Sequence, residues 1–255
     1  MDYESYVQNV IGSVGLSRSP APYGLIRVHG PESVEFLHRM CSQDVAGMVS
    51  GQVSSSAFLD GKGRLLAVCE LLVEGDTVWL STQDQLVDSL AELLERFHFT
   101  EDLVVDVPSG FACADVLALQ SLGALPAGQG ELSGDGLVRL AGVRNGVHWL
   151  RCHGPAAQVE SWSVGEVPPA ADPARDCLRY LLREPRVGVD SESNTLALEW
   201  PIDDHISTTK GCYTGQEVVA RIHTYGHTNR SLCLLEIDSG AAIDSATPIV
   251  EVEDG

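Results

Sequence analysis

Two strand-like runs separated by a short glycine-rich segment limit the possible folds of this chain more than any other feature. Residues 53–59 and 64–73 are rich in apolar and β-branched side chains, and Asp60-Gly61-Lys62-Gly63 between them is typical of a hairpin turn. A further strand is predicted at residues 77–80. Because strands joined by so short a turn pair antiparallel, the sequence predicts an antiparallel sheet here.

A strongly amphipathic helix follows this hairpin. Thr82 and Gln85 have the spacing of a capping box, and apolar residues then recur at helical spacing up to Phe97. Residues 103–107 form another predicted strand. The order strand, strand, helix, strand is typical of a split ferredoxin-like unit, which we expect over residues 51–111.

Less regular patterns flank this unit. Residues 25–29 alternate like a strand, and Gly30-Pro31 then opens a predicted helix with proline in its first turn. The inward face of that helix is expected to carry Val34, Leu37, Met40 and Cys41. Residues 118–146 contain many glycines, alanines and prolines and little periodicity, so loops or short connections are expected there rather than core.

Two more helices and one strand are predicted in the second half of the chain. One helix is expected after Gly154-Pro155, and another covers residues 173–182 and is stopped by Pro185. Residues 231–237 are strand-like, but few residues follow that could pair with this strand. The C-terminal β unit is therefore expected to be short or incomplete.

The composition excludes several classes of protein. With 255 residues, 44% of them hydrophobic, the chain can bury one large core or two to three small ones. A net charge of −20 repels a phosphate backbone, so direct contact with nucleic acid is not expected. Neither a signal sequence nor an apolar run of roughly 18 residues is present, so no membrane span is expected. We expect a cytoplasmic monomer.

The cysteines form no C-x-x-C pair of the kind that marks zinc or dithiol redox sites. Most are expected to be reduced and buried, where they behave as small hydrophobic residues. The seven cysteines are Cys41, Cys69, Cys113, Cys152, Cys177, Cys212 and Cys233.

Half of the basic residues, eight of sixteen, fall within residues 151–230. A local concentration of positive charge on an acidic protein indicates a small anionic ligand, although solvated surface arginines would have the same pattern. These residues are Arg151, Arg175, Arg179, Arg183, Arg186, Lys210, Arg221 and Arg230.

The segment Lys210-Gly211-Cys212-Tyr213-Thr214-Gly215-Gln216-Glu217 carries the most chemical information. Thr214 and Glu217 have the spacing of a capping box, so a helix should begin within this segment. Cys212 then lies just ahead of the helix N-terminus, where the macrodipole and Lys210 both favour the thiolate. A Glu217 carboxylate near the sulfur would oppose this effect. A buried structural cysteine in a glycine-rich turn is the alternative that these residues leave open.

This segment resembles the signature of the YgfZ-like branch of the folate-binding glycine cleavage T-protein (aminomethyltransferase) superfamily, and the following V-V-A-R is similar to the family pattern too. Two further stretches occur in the family order. Residues 36–45 resemble its F-L-x-x-x-x-T-x-D-V stretch, with Ser42 in place of threonine, and residues 57–64 resemble its D-x-K-G-R hairpin. The likeness covers most of residues 20–235.

The resemblance implies an α+β fold in which small α/β, ferredoxin-like units surround a central hole that binds tetrahydrofolate or a derivative. A first, discontinuous folate-binding unit would comprise residues 1–50 and 112–230. The ferredoxin-like unit would comprise residues 51–111, and residues 231–255 would begin a C-terminal β-barrel unit.

The resemblance also implies which residues contact the folate, whose flat pterin favours an aromatic face and whose glutamate tail favours cations. Tyr23 matches a position where relatives place an aromatic residue against the folate, although core packing would also explain a tyrosine there. Arg175 lies near a second such position. The other expected contacts are Arg179, Gly211, Tyr213, Gln216, Glu217 and Arg221. Cys212 is the expected functional thiol, assisted by Lys210, and no metal site is expected.

Two departures from the family pattern concern catalysis. On the strand after the hairpin, aminomethyltransferase relatives have a catalytic aspartate, whereas this chain has Ala67-Val68, which cannot accept a proton. The family stretch R-I-E-A-G-x-P corresponds to residues 179–185, where Leu181 replaces a folate-associated glutamate. Glu184 could take that role through a register shift. A classical aminomethyltransferase is therefore not expected.

The remaining polar residues receive simpler interpretations. His205, His223 and His227 have no recognised metal-ligand spacing and are interpreted as ordinary core or surface histidines. Asp203-Asp204 is interpreted as a strand pair that solvates a loop.

Three functions follow from these observations. The first is a tetrahydrofolate-binding accessory protein that supports iron–sulfur cluster assembly or repair, with an indirect effect on tRNA modification. Its partners would be folate and iron–sulfur proteins or their assembly factors. The second is a folate-dependent aminomethyltransferase or other one-carbon transferase, and the third is a non-catalytic interaction scaffold.

Overall fold

A computed structural model describes residues 16–18, 20–164, 167–169, 179–180, 182–184 and 186–233. Within these ranges the chain folds into two five-stranded antiparallel sheets with helices packed against them, which confirms the predicted mixed α and β class. Arg175, most of the helix predicted at 173–182 and most of the strand predicted at 231–237 lie outside the described residues.

The first sheet contains the predicted hairpin. Its strand order is β3-β4-β5-β2-β6. The strands are β2 (Tyr23–His29), β3 (Val53–Leu59), β4 (Leu65–Glu74), β5 (Thr77–Gln83) and β6 (Val104–Asp106), whereas β1 (Leu16–Arg18) belongs to the other sheet. β3 and β4 pair antiparallel, so the hairpin prediction is confirmed. β2 lies between β5 and β6. This strand precedes the region predicted as ferredoxin-like but shares a sheet with it.

Two helices, α1 (Ser33–Met40) and α2 (Val87–Phe97), cover one face of this sheet. Both were predicted, but the capping box at the start of α2 was wrong. Thr82 belongs to β5, where its hydroxyl donates to the carbonyl oxygen of Val68 at 2.8 Å, and a 3₁₀ turn (Asp84–Leu86) leads into the helix. The pairing of Thr82 in the sheet therefore overrides its local capping preference.

The second sheet has the order β1-β7-β10-β9-β8. Its remaining strands are β7 (Phe111–Ala118), β8 (Gly130–Leu132), β9 (Val138–Arg144) and β10 (Val147–Pro155). The prediction of loops over residues 118–146 was wrong, because β8 and β9 lie there and Val138 and Leu140 are fully buried. Gly142 interrupts the apolar pattern of β9 since a Cβ atom there would come within 2.4 Å of the Trp149 ring.

The two sheets pack against each other through apolar side chains from both. Leu25, Leu72 and Trp79 of the first sheet meet Leu117, Leu140 and Trp149 of the second. Burying such side chains is the main favourable contribution to folding. The predicted helix after Gly154-Pro155 is confirmed as α3 (Ala156–Ser161), and α4 (Gln216–Tyr225) follows later in the chain. No helix in the described part of the chain has the length and apolarity to span a bilayer.

Candidate functional site

The segment with the sequence signature leads into α4, which begins next to Gly215 as predicted, but the cap of the helix differs from the prediction. Gly215 occupies the N-cap position in the left-handed region, with φ of +85°, and no side chain caps the helix. The predicted capping box of Thr214 and Glu217 is therefore wrong. The start of α4 is fixed instead by the backbone conformation at Gly215.

The Lys210 ammonium group binds the carbonyl end of α1. It donates to the carbonyl oxygens of Cys41 at 2.7 Å and Gln43 at 2.8 Å, and also to that of His38. Carbonyls at the end of a helix lack partners within the helix, so Lys210 satisfies them. Burial lowers the pKa of Lys210, opposed by the nearby acidic groups. The lysine of the signature thus joins this segment to α1.

The other residues of the signature divide into buried and exposed groups. Tyr213 is 8% exposed and packs with Val219 in an apolar cluster under the hairpin. Gln216 is half-buried, and the exposed residues are Gly211, Cys212, Glu217 and Arg221. The Cys212 side chain makes no hydrogen bond or ion pair with any described residue. The alternative of a buried structural cysteine at this position is therefore wrong, and the predicted role of the thiol stays a prediction.

The other cysteines behave mostly as expected. Cys41, Cys69, Cys113 and Cys152 are buried and reduced, whereas Cys233 is exposed like Cys212. Cys177 lies outside the described residues.

A cavity of about 340 Å³, here called the central cavity, lies between β4, the end of β9 and residues 201–205. Val68, Arg144, Glu184, Asp204 and His205 line it. A narrow cleft shares part of this lining and extends inward to Tyr23, Ser81 and Arg151. Of the residues predicted to contact folate and described by the structure, Tyr23 is the one that lines the cleft, and none lines the central cavity itself.

Arg144 connects two carboxylates in the central cavity. Its guanidinium lies 2.6 Å from Glu70 Oε1 and 3.7 Å from Glu184 Oε1. Burial opposes the charge of Arg144, but Glu70 and Glu184 outweigh that effect and raise its pKa. The cavity therefore holds a permanently charged guanidinium between two carboxylates.

Glu184 also binds residues of the inner cleft. The Tyr23 hydroxyl donates to Glu184 Oε2, and Arg151 lies 3.7 Å from Glu184 Oε1. The Arg151 guanidinium stacks over the Tyr23 ring, 3.2 Å from its centroid. Glu184 is thus the carboxylate around which the charged groups converge. The register shift considered for Glu184 stays a prediction, and Leu181 lies outside the described residues.

Asp204 and His205 form a second polar pair in the cavity wall. They belong to a 3₁₀ turn (Asp203–His205), not to a strand as interpreted from the sequence. The His205 side chain is 5% exposed, and its Nδ1 lies 2.7 Å from Asp204 Oδ1. Its Nε2 faces Arg144 at 3.5 Å. The Asp204 carboxylate therefore orients an imidazole toward the charged cluster.

Val68 lies in the cavity wall at the position where the aminomethyltransferase relatives were expected to have their aspartate. Glu70 is two residues further along β4, and Arg144 and Ser55 engage its carboxylate. Sequence reasoning missed Glu70, Arg144 and the Asp204–His205 pair. A glutamate within the apolar run of β4 was the available signal for Glu70, since charged residues are rarely buried without a partner.

A further cavity of about 360 Å³, here called the outer cavity, shares Arg183, Glu184 and Pro201 with the central cavity. Arg179 lines it, paired with Asp190 at 2.6 Å and stacked on Tyr180 at 4.1 Å. Cys233 lies at its edge. Arginine side chains therefore line the outer cavity, which adjoins the central cavity.

Comparisons with known proteins show which known fold this structure resembles. No protein-family model matches the chain. The crystal structure of the glycine cleavage system aminomethyltransferase T from Bartonella henselae superimposes with a TM-score of 0.74 at 18% identity, covering 86% of this chain and 66% of that one. The fold is therefore T-protein-like, as the resemblance implied.

Proteins of similar sequence indicate which branch of the superfamily this chain resembles. The tRNA-modifying protein YgfZ of Vibrio vulnificus is 26% identical over 233 residues, covering 88% of this chain and 69% of the relative. The YgfZ protein of Serratia proteamaculans is 23% identical over 246 residues, covering 89% of this chain and 72% of the relative. A chloroplastic protein of Arabidopsis thaliana is 26% identical over 237 residues, but this chain spans 55% of its length. Together these likenesses support a YgfZ-like assignment within the T-protein superfamily.

Proposed function

We propose that this protein binds tetrahydrofolate in the central cavity and supports iron–sulfur cluster assembly or repair as an accessory protein. The observation that carries the proposal is the buried Glu184 carboxylate, held by Tyr23 and two arginines at the wall of a cavity of about 340 Å³. Cavities of this size are typical of small-molecule sites with a few placed polar groups.

The lining suits the pterin end of a folate. A pterin presents amide and amine N–H donors along one edge, and a carboxylate can accept several hydrogen bonds at once. Tyr23 and two arginines hold the Glu184 carboxylate at the wall of the cavity, where it faces such donors. The Arg151 Nε atom is buried and lacks a hydrogen-bond partner among the described residues, which leaves one donor for a ring acceptor.

The outer cavity suits the glutamate tail. Tail carboxylates pair best with guanidinium groups, and Arg179 and Arg183 line this space. Arg179 already binds Asp190, but a guanidinium has five N–H donors and can bind a second carboxylate. The local concentration of basic residues would then bind a small anionic ligand on an otherwise acidic protein.

The link to iron–sulfur proteins and to tRNA modification is supported by the relatives and by Cys212. Two of the relatives are named as tRNA-modifying proteins, and the net charge of −20 favours an indirect effect over direct RNA binding. Cys212 lies on the surface and outside the lining of the central cavity, where a partner protein can reach its sulfur.

A one-carbon transferase is the second candidate. Val68 offers no proton acceptor, and the neighbouring Glu70 carboxylate is bound by Arg144 and Ser55. Neither residue is placed as a free catalytic base, so transfer is not proposed. An assay of methylene-tetrahydrofolate formation from an aminomethyl donor separates the two functions.

Thermal unfolding with added ligands tests the proposal. Tetrahydrofolate should raise the melting temperature, with a stabilisation of about 2.7 kcal/mol at a hundredfold excess over Kd. The pterin head alone and p-aminobenzoylglutamate alone should each produce a smaller shift, since each fills one cavity. No shift at millimolar tetrahydrofolate would contradict the proposal, and complementation of a strain lacking the protein tests the cellular role separately.

A further inference from the structure

A third cavity, lined in part by Tyr23, has a volume of about 430 Å³. We call it the rear cavity. Its lining includes the apolar side chains of Leu25, Val87, Pro108 and Phe111. Cys113 and His153, which are 2% and 1% exposed, form its inner end, and Asp84 and Asp88 lie at its mouth. Tyr23 lines both the rear cavity and the narrow cleft, but the function proposed above uses no other residue of the rear cavity.

Hydrogen bonds at the inner end are compatible with a proton on Nδ1 of His153. The Ser81 hydroxyl oxygen accepts from Arg151 Nη1 at 3.2 Å and lies 2.8 Å from His153 Nε2. A hydroxyl oxygen that accepts from arginine can still donate its own proton, here to Nε2. We assign the proton of the neutral imidazole to Nδ1, with Nε2 as the acceptor.

His153 remains neutral because it is buried and because Arg151 is close. Burial, followed by the charge of Arg151, lowers the pKa of His153 to about 3. The imidazole therefore presents one N–H and no positive charge at neutral pH.

The Nδ1 atom of His153 has no hydrogen-bond partner among the residues that the structure describes. Buried polar groups of proteins are nearly always hydrogen-bonded, so an unpaired donor beside a cavity calls for a ligand acceptor. Cys113 Sγ lies 3.7 Å from Nε2, which is the other ring nitrogen, so it does not pair with Nδ1. The unpaired N–H is thus the polar group that the inner end of the cavity offers.

The mouth of the rear cavity has the opposite character. Asp84 precedes α2, and Asp88 lies in the first turn of that helix. Neither aspartate makes an ion pair with a described residue. Burial raises the pKa of Asp84, as expected for a carboxylate without a cationic partner. Two carboxylates at the rim favour a positively charged group on whatever enters.

We propose that the rear cavity binds a small organic amine. An oxygen acceptor at the leading end of the ligand accepts the Nδ1–H of His153. Its apolar body packs along Val87 and Phe111, and its ammonium group remains at the mouth between Asp84 and Asp88. This ligand is chemically different from folate, whose tail is anionic.

Calorimetric titration with the O-methyl ether of tyramine tests the proposal, since this probe has an ether oxygen, an aromatic ring and an ammonium group. Phenethylamine lacks the acceptor, and para-methoxyphenylpropionate replaces the ammonium by a carboxylate. The ether should bind saturably, phenethylamine at least fivefold more weakly, and the carboxylate without detectable affinity. Equal binding of all three compounds, or no saturation by the ether at millimolar concentration, overturns the proposal.

Variants locate the bound probe. The double substitution Asp84→Asn and Asp88→Asn changes two exposed side chains and should weaken binding of the ether at least tenfold. Val107→Trp adds volume at an exposed position of the lining and should abolish binding. Unchanged affinity in both folded variants overturns the proposal. Tetrahydrofolate binding, measured on the same samples, should stay as in the parent protein, so failure of either idea is seen separately.

Discussion

Gly215 packs directly against the carbonyl oxygen of Asp60. A Cβ atom at position 215 would lie 2.6 Å from that oxygen, a separation that real Cβ atoms do not reach. Asp60 begins the turn between β3 and β4, and Gly215 caps α4. The hairpin and the signature segment, far apart in the chain, are therefore in contact, and the glycine of the signature is required by this contact.

Replacing Gly215 by alanine should destabilise the protein. The positive φ alone costs roughly 1–3 kcal/mol for a residue with a side chain, and the clash with Asp60 adds to that cost. Chemical denaturation measures the loss. Gly61→Ala is the matched control, because a Cβ atom added there would meet no other atom within 4 Å, and it should leave stability nearly unchanged. Equal stability of the two variants would show that Gly215 and Asp60 are not in close contact.

Replacing Lys210 by methionine should also destabilise the protein while leaving Cys212 in place. The substitution removes the ammonium donor from three carbonyl groups, of which that of Cys41 is buried, and each hydrogen bond to a charged group is worth about 1.5–3 kcal/mol. Lys62→Met changes an exposed lysine of the hairpin turn and is the control for urea unfolding. A stable Lys210→Met variant with lost cellular function would instead assign the lysine a chemical role.

Cys212→Ser should impair the support of iron–sulfur enzymes in cells without affecting the fold. The side chain is exposed and has no polar partner among the described residues, so the free energy of unfolding should change by no more than about 0.5 kcal/mol. Complementation and melting temperature are measured together. Cys233→Ser, at the other exposed cysteine in the described part of the chain, should complement fully. Full complementation by Cys212→Ser as well would exclude a function for its sulfur.

The stability of the protein should fall with pH partly because of His153. In the folded state its pKa is about 3, against an ordinary value of 6.5, so between these values the unfolded state binds a proton that the native state does not. Stability is then fully present above pH 6.5 and decreases as the pH falls toward 3, on the order of 1.4 kcal/mol per pH unit.

Urea unfolding at pH 7 and pH 5, compared between the parent protein and His153→Gln, isolates this effect from that of the carboxylates. The variant should lose less stability over this interval than the parent protein. Identical pH dependence of the two proteins would mean that His153 is not buried in its neutral form.

The sequence could predict the elements whose patterns are local. The hairpin of β3 and β4, the helices α1 and α2 and the start of α4 follow from turn residues and apolar periodicity, and the structure confirms them. β8 and β9 were missed because Gly142 breaks the alternation of β9. That glycine is set by Trp149 on the next strand, a contact that no local pattern contains.

The site was predicted less completely for a similar reason. Resemblance to a signature directs attention to Cys212 and α4, whereas the charged cluster comes from Glu70, Arg144 and Glu184, which are distant in sequence. Their side chains meet because two sheets pack face to face. The capping boxes at Thr82 and Thr214 failed because sheet pairing and a glycine backbone conformation decide where those helices begin.

Calorimetric titration of tetrahydrofolate into the parent protein and into Glu184→Gln tests the central claim most directly. The account predicts saturable binding to the parent protein and binding at least tenfold weaker to Glu184→Gln, since charge-assisted hydrogen bonds are worth about 1.5–3 kcal/mol. Glu131→Gln, a change in a partly exposed pair with Arg139, should bind like the parent protein. Equal affinity of Glu184→Gln and the parent protein, or no binding by either, would contradict the claim that the central cavity is a folate site built around Glu184.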